Sequence, residues 1–194
     1  MLPEAPPDTL AHRPAGLVLA AGAGRRFGGP KALARDPEGV PWVEKAVRAL
    51  RDGGCDPVVV VLGAAGDDTA TLVPGGATVV RAEGWADGVS ASLRAGLDAA
   101  ASTDASAIVV VPVDTPELPA TAVMRLASRA AADALAFAAY GGTPGHPVVI
   151  GRAHWAALAA AVSGDVGARP YLRDYGAEAV ECGDLWSGAD RDLR

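Results

Sequence analysis

Within the stretch LVLAAGAGRRFGGPKAL, residues 17–33, an apolar run ends in a loop that carries Gly22, Gly24, Gly28 and Gly29 together with Arg26 and Lys31. Glycines tolerate positive φ and lack the Cβ atom that keeps a ligand at a distance, so successive main-chain N–H groups can face one concavity. A guanidinium and an ammonium beside those donors add fixed positive charge, and the combination suits a polyphosphate. The second group is Asp114 in VPVDTPEL, just past an apolar strand, at the position where open α/β sheets hold their ligands. A hard dication bound to phosphates takes oxygen ligands, and one well-placed carboxylate can anchor Mg²⁺. Asp114 is therefore the expected metal ligand; its alternative is a cap or turn residue ahead of Thr115 and Pro116.

Two other phosphate loops fit less well. A Walker A loop needs Gly-Lys followed by a hydroxyl, whereas Lys31 follows Pro30 and precedes Ala32. The dinucleotide fingerprint G-x-G-x-x-G is nearly present, but its third glycine falls one place late at Gly28, and Pro30 interrupts the helix that should follow. An ordinary Gly-rich surface turn leaves the placement of Arg26 and Lys31 unexplained. Arg25 is read as solvated.

Written as L-A-A-G-x-G-x-R-x-G followed by x-P-K, the segment resembles the signature loop of the MobA-like nucleotidyltransferases, with Gly22, Gly24, Arg26, Gly28, Pro30 and Lys31 in place. The resemblance implies that the loop, from Ala20 and Ala21 onward, wraps a nucleoside triphosphate while Arg26 and Lys31 balance charge on the β- and γ-phosphates. It also implies that Asp114, in the family's D-T-P element, holds the Mg²⁺ that bridges the phosphates. GWADGVSASLRAG, residues 84–96, resembles the W-x-x-G-x-x-x-S-x-x-x-G element of the molybdenum-cofactor cytidylyltransferase branch, which sets Ser90 and Ser92 near base and ribose. Taken singly, Ser90 reads equally as a helix N-cap and Trp85 as a cover on the core.

The G-H-P-V of residues 145–148 and the G-D-x-G-A-R of residues 164–169 resemble the acceptor side of the same branch. His146, Asp165 and Arg169 are accordingly the expected acceptor-binding residues, and the Arg169 fork suits a terminal phosphate. Family members complete the metal site near the C-terminus, in a D-x-D-T-P-x-D-L sequence. Here SGADRDLR lacks the Thr-Pro, and of Asp190 and Asp192 the former is the expected second metal ligand. Ala21, where guanylyl-transferring relatives tend to carry Gly, points to CTP over GTP.

Such groups need a scaffold that brings them to one edge. Apolar runs at Leu17–Ala20, Pro57–Leu62 and Ala107–Val111 read as buried strands, with helical spacing between them at Trp42–Arg51, Ser90–Ala100 and Pro119–Ala130. The alternation predicts a right-handed, doubly wound, parallel sheet. Later, Leu135–Ala138 and His146–Ile150 are joined by the short Gly-rich segment 139–145, which suits an antiparallel pair better than a helical crossover. Helices near Ala153–Ala161 and Ala168–Tyr175 and a strand at Glu178–Glu181 follow. The expected fold class is a three-layer α/β/α, Rossmann-like domain with a mostly parallel sheet and one antiparallel strand in the C-terminal half. The resemblance implies the nucleotide-diphospho-sugar transferase type.

The 194 residues suffice for one substantial core, and residues 15–194 are expected to form a single domain behind a disordered lead-in at 1–14. Half the residues are hydrophobic, mostly Ala and Val, as tightly packed helices on a Val-rich sheet require. With 17 basic against 23 acidic side chains, the net charge of −6 argues against a general nucleic-acid or anionic-membrane binder. Cys55 and Cys182 lack metal or disulfide spacing and read as buried thiols. The Pro- and acid-containing start is unlike a signal peptide, and the expected localisation is cytoplasmic.

Expected function follows from the resemblance: Mg²⁺-dependent transfer of a nucleoside monophosphate to a molybdopterin-type, phosphorylated acceptor, with pyrophosphate released. Transient contact with a molybdoenzyme or cofactor-delivery protein is part of that expectation. Two alternatives stay open, a transferase acting on a sugar 1-phosphate or other small phosphate, and a nucleotide- or cofactor-binding protein without turnover.

Overall fold

The structure, a computed structural model, describes residues 13–191. Most of the expected lead-in and the tail candidate Asp192 lie outside the described residues. Pro14 does belong to the fold, since it is buried and its carbonyl accepts a hydrogen bond from the Asp56 amide at 3.0 Å.

Seven strands of the described residues form one sheet: β1 (Ala15–Ala20), β2 (Val58–Leu62), β3 (Thr78–Arg81), β4 (Ala107–Pro112), β5 (Leu135–Tyr140), β6 (Thr143–Gly151) and β7 (Glu178–Glu181), in the order β3-β2-β1-β4-β6-β5-β7. Only β6 runs against its neighbours, antiparallel to both β4 and β5. The three expected parallel strands sit at the centre, where β1 pairs with β2 through Leu17 and Val59 and with β4 through Leu17 and Val110. Every residue of β2 is buried, as a strand covered on both faces must be.

Among the described residues six helices cover the sheet: α1 (Trp42–Asp52), α2 (Gly66–Ala70), α3 (Val89–Ala101), α4 (Ala120–Ala127), α5 (Trp155–Ala161) and α6 (Arg169–Asp174). Strand side chains alternate between two cores. Val18, Val60 and Val109 pack with Val43, Val47, Leu50 and Val123 of α1 and α4, whereas Leu17, Val59 and Ile108 pack with Leu93, Leu97, Trp155 and Leu158 of α3 and α5. This is the expected three-layer architecture.

Two elements have no counterpart in the sequence expectation. β3 is a short, largely exposed edge strand, and α2 is one acidic turn, so neither carries the apolar run that marks a buried element. The β5–β6 connection is also tighter than expected, because pairing runs out to Tyr140 and Thr143. Only Gly141 and Gly142 remain, at φ +58° and +82°, and these positive angles match the right-handed strand twist that a two-residue hairpin needs. No helix among the described residues is long and apolar enough to cross a membrane. Both cysteines are free and buried, and burial pushes the Cys55 thiol up to about 12.

Candidate active site

A cleft of about 1090 Å³ opens along the carboxyl ends of β1 and β4. Its polar half is the glycine loop. Gly24 sits at φ +58°, and a Cβ there would stand 1.9 Å from the Gly29 carbonyl oxygen, so the residue must be glycine. That carbonyl approach belongs to a closed ring: the amides of Gly28 and Gly29 both donate to the Gly24 carbonyl, at 3.0 and 3.1 Å. The expectation that amides throughout residues 22–29 face a ligand is thereby corrected. Gly28 closes the loop and is off the cleft wall, which is lined by Ala21, Gly22, Ala23, Gly24, Arg25 and Arg26.

Phe27, buried, anchors this ring by packing at 5.2 Å on Trp42 of α1. Downstream there is only a 3₁₀ turn at Lys31–Leu33, and α1 begins at Trp42. The loop therefore does not feed a helix N-terminus, which separates it from the dinucleotide fold. The irregular segment between turn and helix is self-contained. Asp36 accepts from the Glu38 and Val40 amides and from Lys45, and the Lys45 ammonium holds its carboxyl below the usual range.

Asp114 lies on the same side of the sheet as the loop. Its Oδ2 is 3.0 Å from the Lys31 ammonium, with both side chains largely shielded at 24% and 15% exposure. The neighbouring Val113 amide donates to the Leu19 carbonyl at 3.1 Å, extending the β1–β4 pairing up to the carboxylate. Asp114 does not cap α4, whose N-cap is Pro119 with no side-chain cap bond. Arg25 and Arg26 both line the cleft and are exposed, so Arg25 shares the position expected of Arg26 alone.

The other expected residues separate into those on the cleft and those behind it. Ser92, His146, Asp165 and Arg169 line it. Ala20 and Ser90, each 1% exposed, do not; Ala20 is core, and the Ser90 amide donates to the Gly164 carbonyl at 3.1 Å. Ser90 therefore joins α3 to the 164–169 segment, and its side chain makes no N-cap bond. Gly88 completes that junction, since a Cβ there would lie 2.3 Å from the Gly164 carbonyl carbon. Trp85 packs partly on the core and also lines the cleft.

His146 reaches the cleft because β6 runs backwards. Pairing of β4 with β6 ends at Val110 and Val148, which sets the start of β6 beside the end of β4. Tyr140 holds the segment by donating its hydroxyl to the His146 carbonyl at 2.6 Å, and Arg169 donates to the Pro144 carbonyl at 3.2 Å. Among the described residues, no group lies within hydrogen-bond geometry of the buried His146 Nδ1. Burial pushes the imidazole below its ordinary 6.5, against the opposing pull of the Val110 carbonyl and the Asp114 and Asp190 charges.

Asp190 is exposed and off the cleft lining, yet the next residue is fastened to the Asp114 turn: the Arg191 amide donates to the Asp114 carbonyl at 2.9 Å. Residues without a distinctive sequence signal complete the lining, where Phe137, Val148, Ile150 and Leu172 make an apolar chamber and Arg173 joins Arg169. Period-two alternation marks Val148 and Ile150 as one face of a strand, but not as the face that meets a ligand.

The family described as MobA-like NTP transferase domain matches residues 16–180. The chain is 40% identical over 190 residues to a nicotine blue oxidoreductase of Paenarthrobacter nicotinovorans, covering 91% of each protein. It is 40% identical over 126 residues to a molybdenum cofactor guanylyltransferase of Rhodobacter capsulatus, covering 64% of this chain and 63% of that one. Among solved structures, a nucleotidyl transferase from Methanothermobacter thermautotroptrophicus superposes with a TM-score of 0.80 at 21% identity, covering 94% of this chain and 93% of the other.

Proposed function

The chain belongs to the MobA-like NTP transferase family and is a nucleotidyltransferase, and from that premise we propose that it moves a nucleoside monophosphate, CMP in preference to GMP, onto a phosphorylated acceptor of the molybdopterin type. The observation that carries this reading is the 3.0 Å ion pair between Lys31 and Asp114, which joins the glycine loop to the end of β4 at one mouth of the cleft. An acceptor phosphate oxygen attacks the α-phosphorus in line, the bond to the bridging oxygen breaks, and pyrophosphate leaves. No protein nucleophile is needed. Arg26 and Lys31 stabilise charge on the departing phosphates, and the loop amides and Ser92 orient the nucleotide.

Asp114 and Asp190 offer the hard oxygen donors that Mg²⁺ takes, and no group of three or more His, Cys, Asp or Glu among the described residues offers a rival site. Held there, the ion would neutralise charge on the phosphate oxygens. His146, Asp165 and Arg169 face the acceptor, with the apolar chamber of the same cleft receiving a ring. That chamber disfavours a sugar 1-phosphate, whose hydroxyls would lack hydrogen-bond partners against Phe137, Val148 and Leu172. Delivery of the product to a molybdoenzyme or carrier protein completes the reading.

A second reading rests on the 40% identity to the nicotine blue oxidoreductase. The apolar chamber would accept a flat dye, and a redox reaction would then occupy the same cleft. One experiment separates the readings: the pure chain is incubated with each nucleoside triphosphate, Mg²⁺ and molybdopterin, and separately with nicotine blue and a reduced nicotinamide dinucleotide. Pyrophosphate together with a CMP adduct by mass spectrometry is the expected result. Dye reduction without pyrophosphate would replace the transferase reading, and nucleotide binding by calorimetry with neither product would make the chain a binding protein.

A further inference from the structure

The Thr-Pro expected after the acidic pair of the tail is missing, yet the tail is seated beside Asp114 by contacts of its own. After β7, the Leu185 and Trp186 amides turn back onto the Cys182 carbonyl. Trp186 then packs edge-on against Tyr140 at 5.4 Å. Gly188 crosses the same ring so closely that a Cβ would stand 2.3 Å from it. Tyr140 is the residue whose hydroxyl holds His146, so one side chain supports both the acceptor segment and the tail. The path ends at Arg191, whose amide donates to the Asp114 carbonyl at 2.9 Å and whose guanidinium binds Glu117 through Nε at 3.0 Å and through Nη2.

We infer that Arg191 is a positioning residue for the metal site: gripping Glu117, three residues past Asp114, it fastens the chain at Asp190 to the Asp114 turn so that Asp190 can join Asp114 as a ligand. The inference rests on the assignment of Asp114 and Asp190 as metal ligands. Its force comes from a mismatch between geometry and energy. The Arg191–Glu117 pair is exposed, at 56% and 42%, and exposed ion pairs contribute little to stability. Two charge-assisted bonds plus a main-chain bond nevertheless fix the end of the described tail beside Asp114. Such contacts set the orientation of a ligand more than the stability of a fold.

The test is Mn²⁺ binding by the full chain, read from the loss of the free-ion electron paramagnetic resonance signal at a fixed concentration of non-hydrolysable CTP. Asp114→Asn and Asp190→Asn should each weaken binding, and Arg191→Met should weaken it roughly tenfold, as loss of an outer-shell partner does. Arg191→Lys should restore most of the affinity, and melting temperatures should match the wild type within about 2 °C. Because Arg191 acts through Asp190, adding Arg191→Met to Asp190→Asn should change nothing further. Unaltered affinity in Arg191→Met with a loss in Asp114→Asn overturns the inference alone. Unaltered affinity in Asp114→Asn overturns the metal assignment, and the inference with it. A further loss in the double variant assigns Arg191 a role independent of Asp190 and also overturns it.

Discussion

One wall of the cleft, proposed to hold the triphosphate, comes from one run of chain, Ala21 to Lys31, with Asp114 added from β4, whereas the other, proposed to hold the acceptor and, through Ser92, the base and ribose, is assembled from residues 85–93, 144–150 and 165–177. The first is closed within itself: Gly24 accepts from Gly28 and Gly29, and Phe27 pins the ring to α1. The second has no local closure. Its segments are held by contacts between segments, Ser90 to Gly164, Arg169 to Pro144, and Tyr140 to His146. A locally closed loop can deliver charge to a phosphate in a fixed geometry, because little else needs to move. An assembled wall instead depends on packing at a distance, so small changes there should alter which acceptor is used before they alter the chemistry.

This contrast makes graded predictions. Asp114→Ala should abolish metal-dependent turnover while the melting temperature moves by less than about 4 °C, because the side chain sits beyond a strand end and outside the core. Normal metal dependence in that variant would detach the carboxylate from the loop's chemistry. Lys31→Ala should reduce turnover roughly a hundredfold or more, as removal of one preorganised charge-stabilising donor does. A pyrophosphate-release assay with unchanged kcat would refute it.

On the acceptor side, Gly88→Ala must push the Gly164 carbonyl away. It should raise the KM for acceptor by up to about a hundredfold, the cost of a misplaced substrate, and raise the dissociation constant for nucleotide by less. Equal losses for both ligands would show that the two halves are not independent.

The smallest effect concerns His146. Burial holds its folded-state pKa below the ordinary 6.5, so in the window between the two values the unfolded chain binds the additional proton. Stability from this group is complete above 6.5 and is lost as pH falls below it, with a slope of at most about 1.4 kcal/mol per pH unit. Urea melts at pH 7.5 and 5.5 should show the loss in the wild type and a shallower one in His146→Asn.

The elements that were legible beforehand share a strong periodic pattern. β1, β2 and β4 are runs of Val, Leu and Ile buried on both faces, and α1 carries the apolar stripe of Trp42, Val43, Ala46, Val47 and Leu50. β3 and α2 were not legible, β3 being short and exposed and α2 a single turn without an apolar run. At the site, residue type and spacing marked Lys31 and Asp114, and the family resemblance marked His146 and Arg169. It misassigned Ser90 and Gly28, because a small polar residue or glycine in a motif can face the ligand or brace the segment that does. Phe137, Leu172 and Arg191 carried no mark at all, as their roles exist only relative to distant partners.

Local chemistry was enough to specify a glycine turn after an apolar strand, a cationic pair within it, a carboxylate at a strand end and an antiparallel pair late in the chain. Spacing and side-chain type act over a few residues, and these features need no more than that. The meeting of Lys31 with Asp114, the arrival of His146 beside them on a reversed strand, and the seating of Arg191 on Glu117 span 83, 32 and 74 positions of sequence respectively, the middle figure being 146 less 114. Such distances are closed by strand order and by the direction of β6, which depend on how the whole sheet buries its two faces.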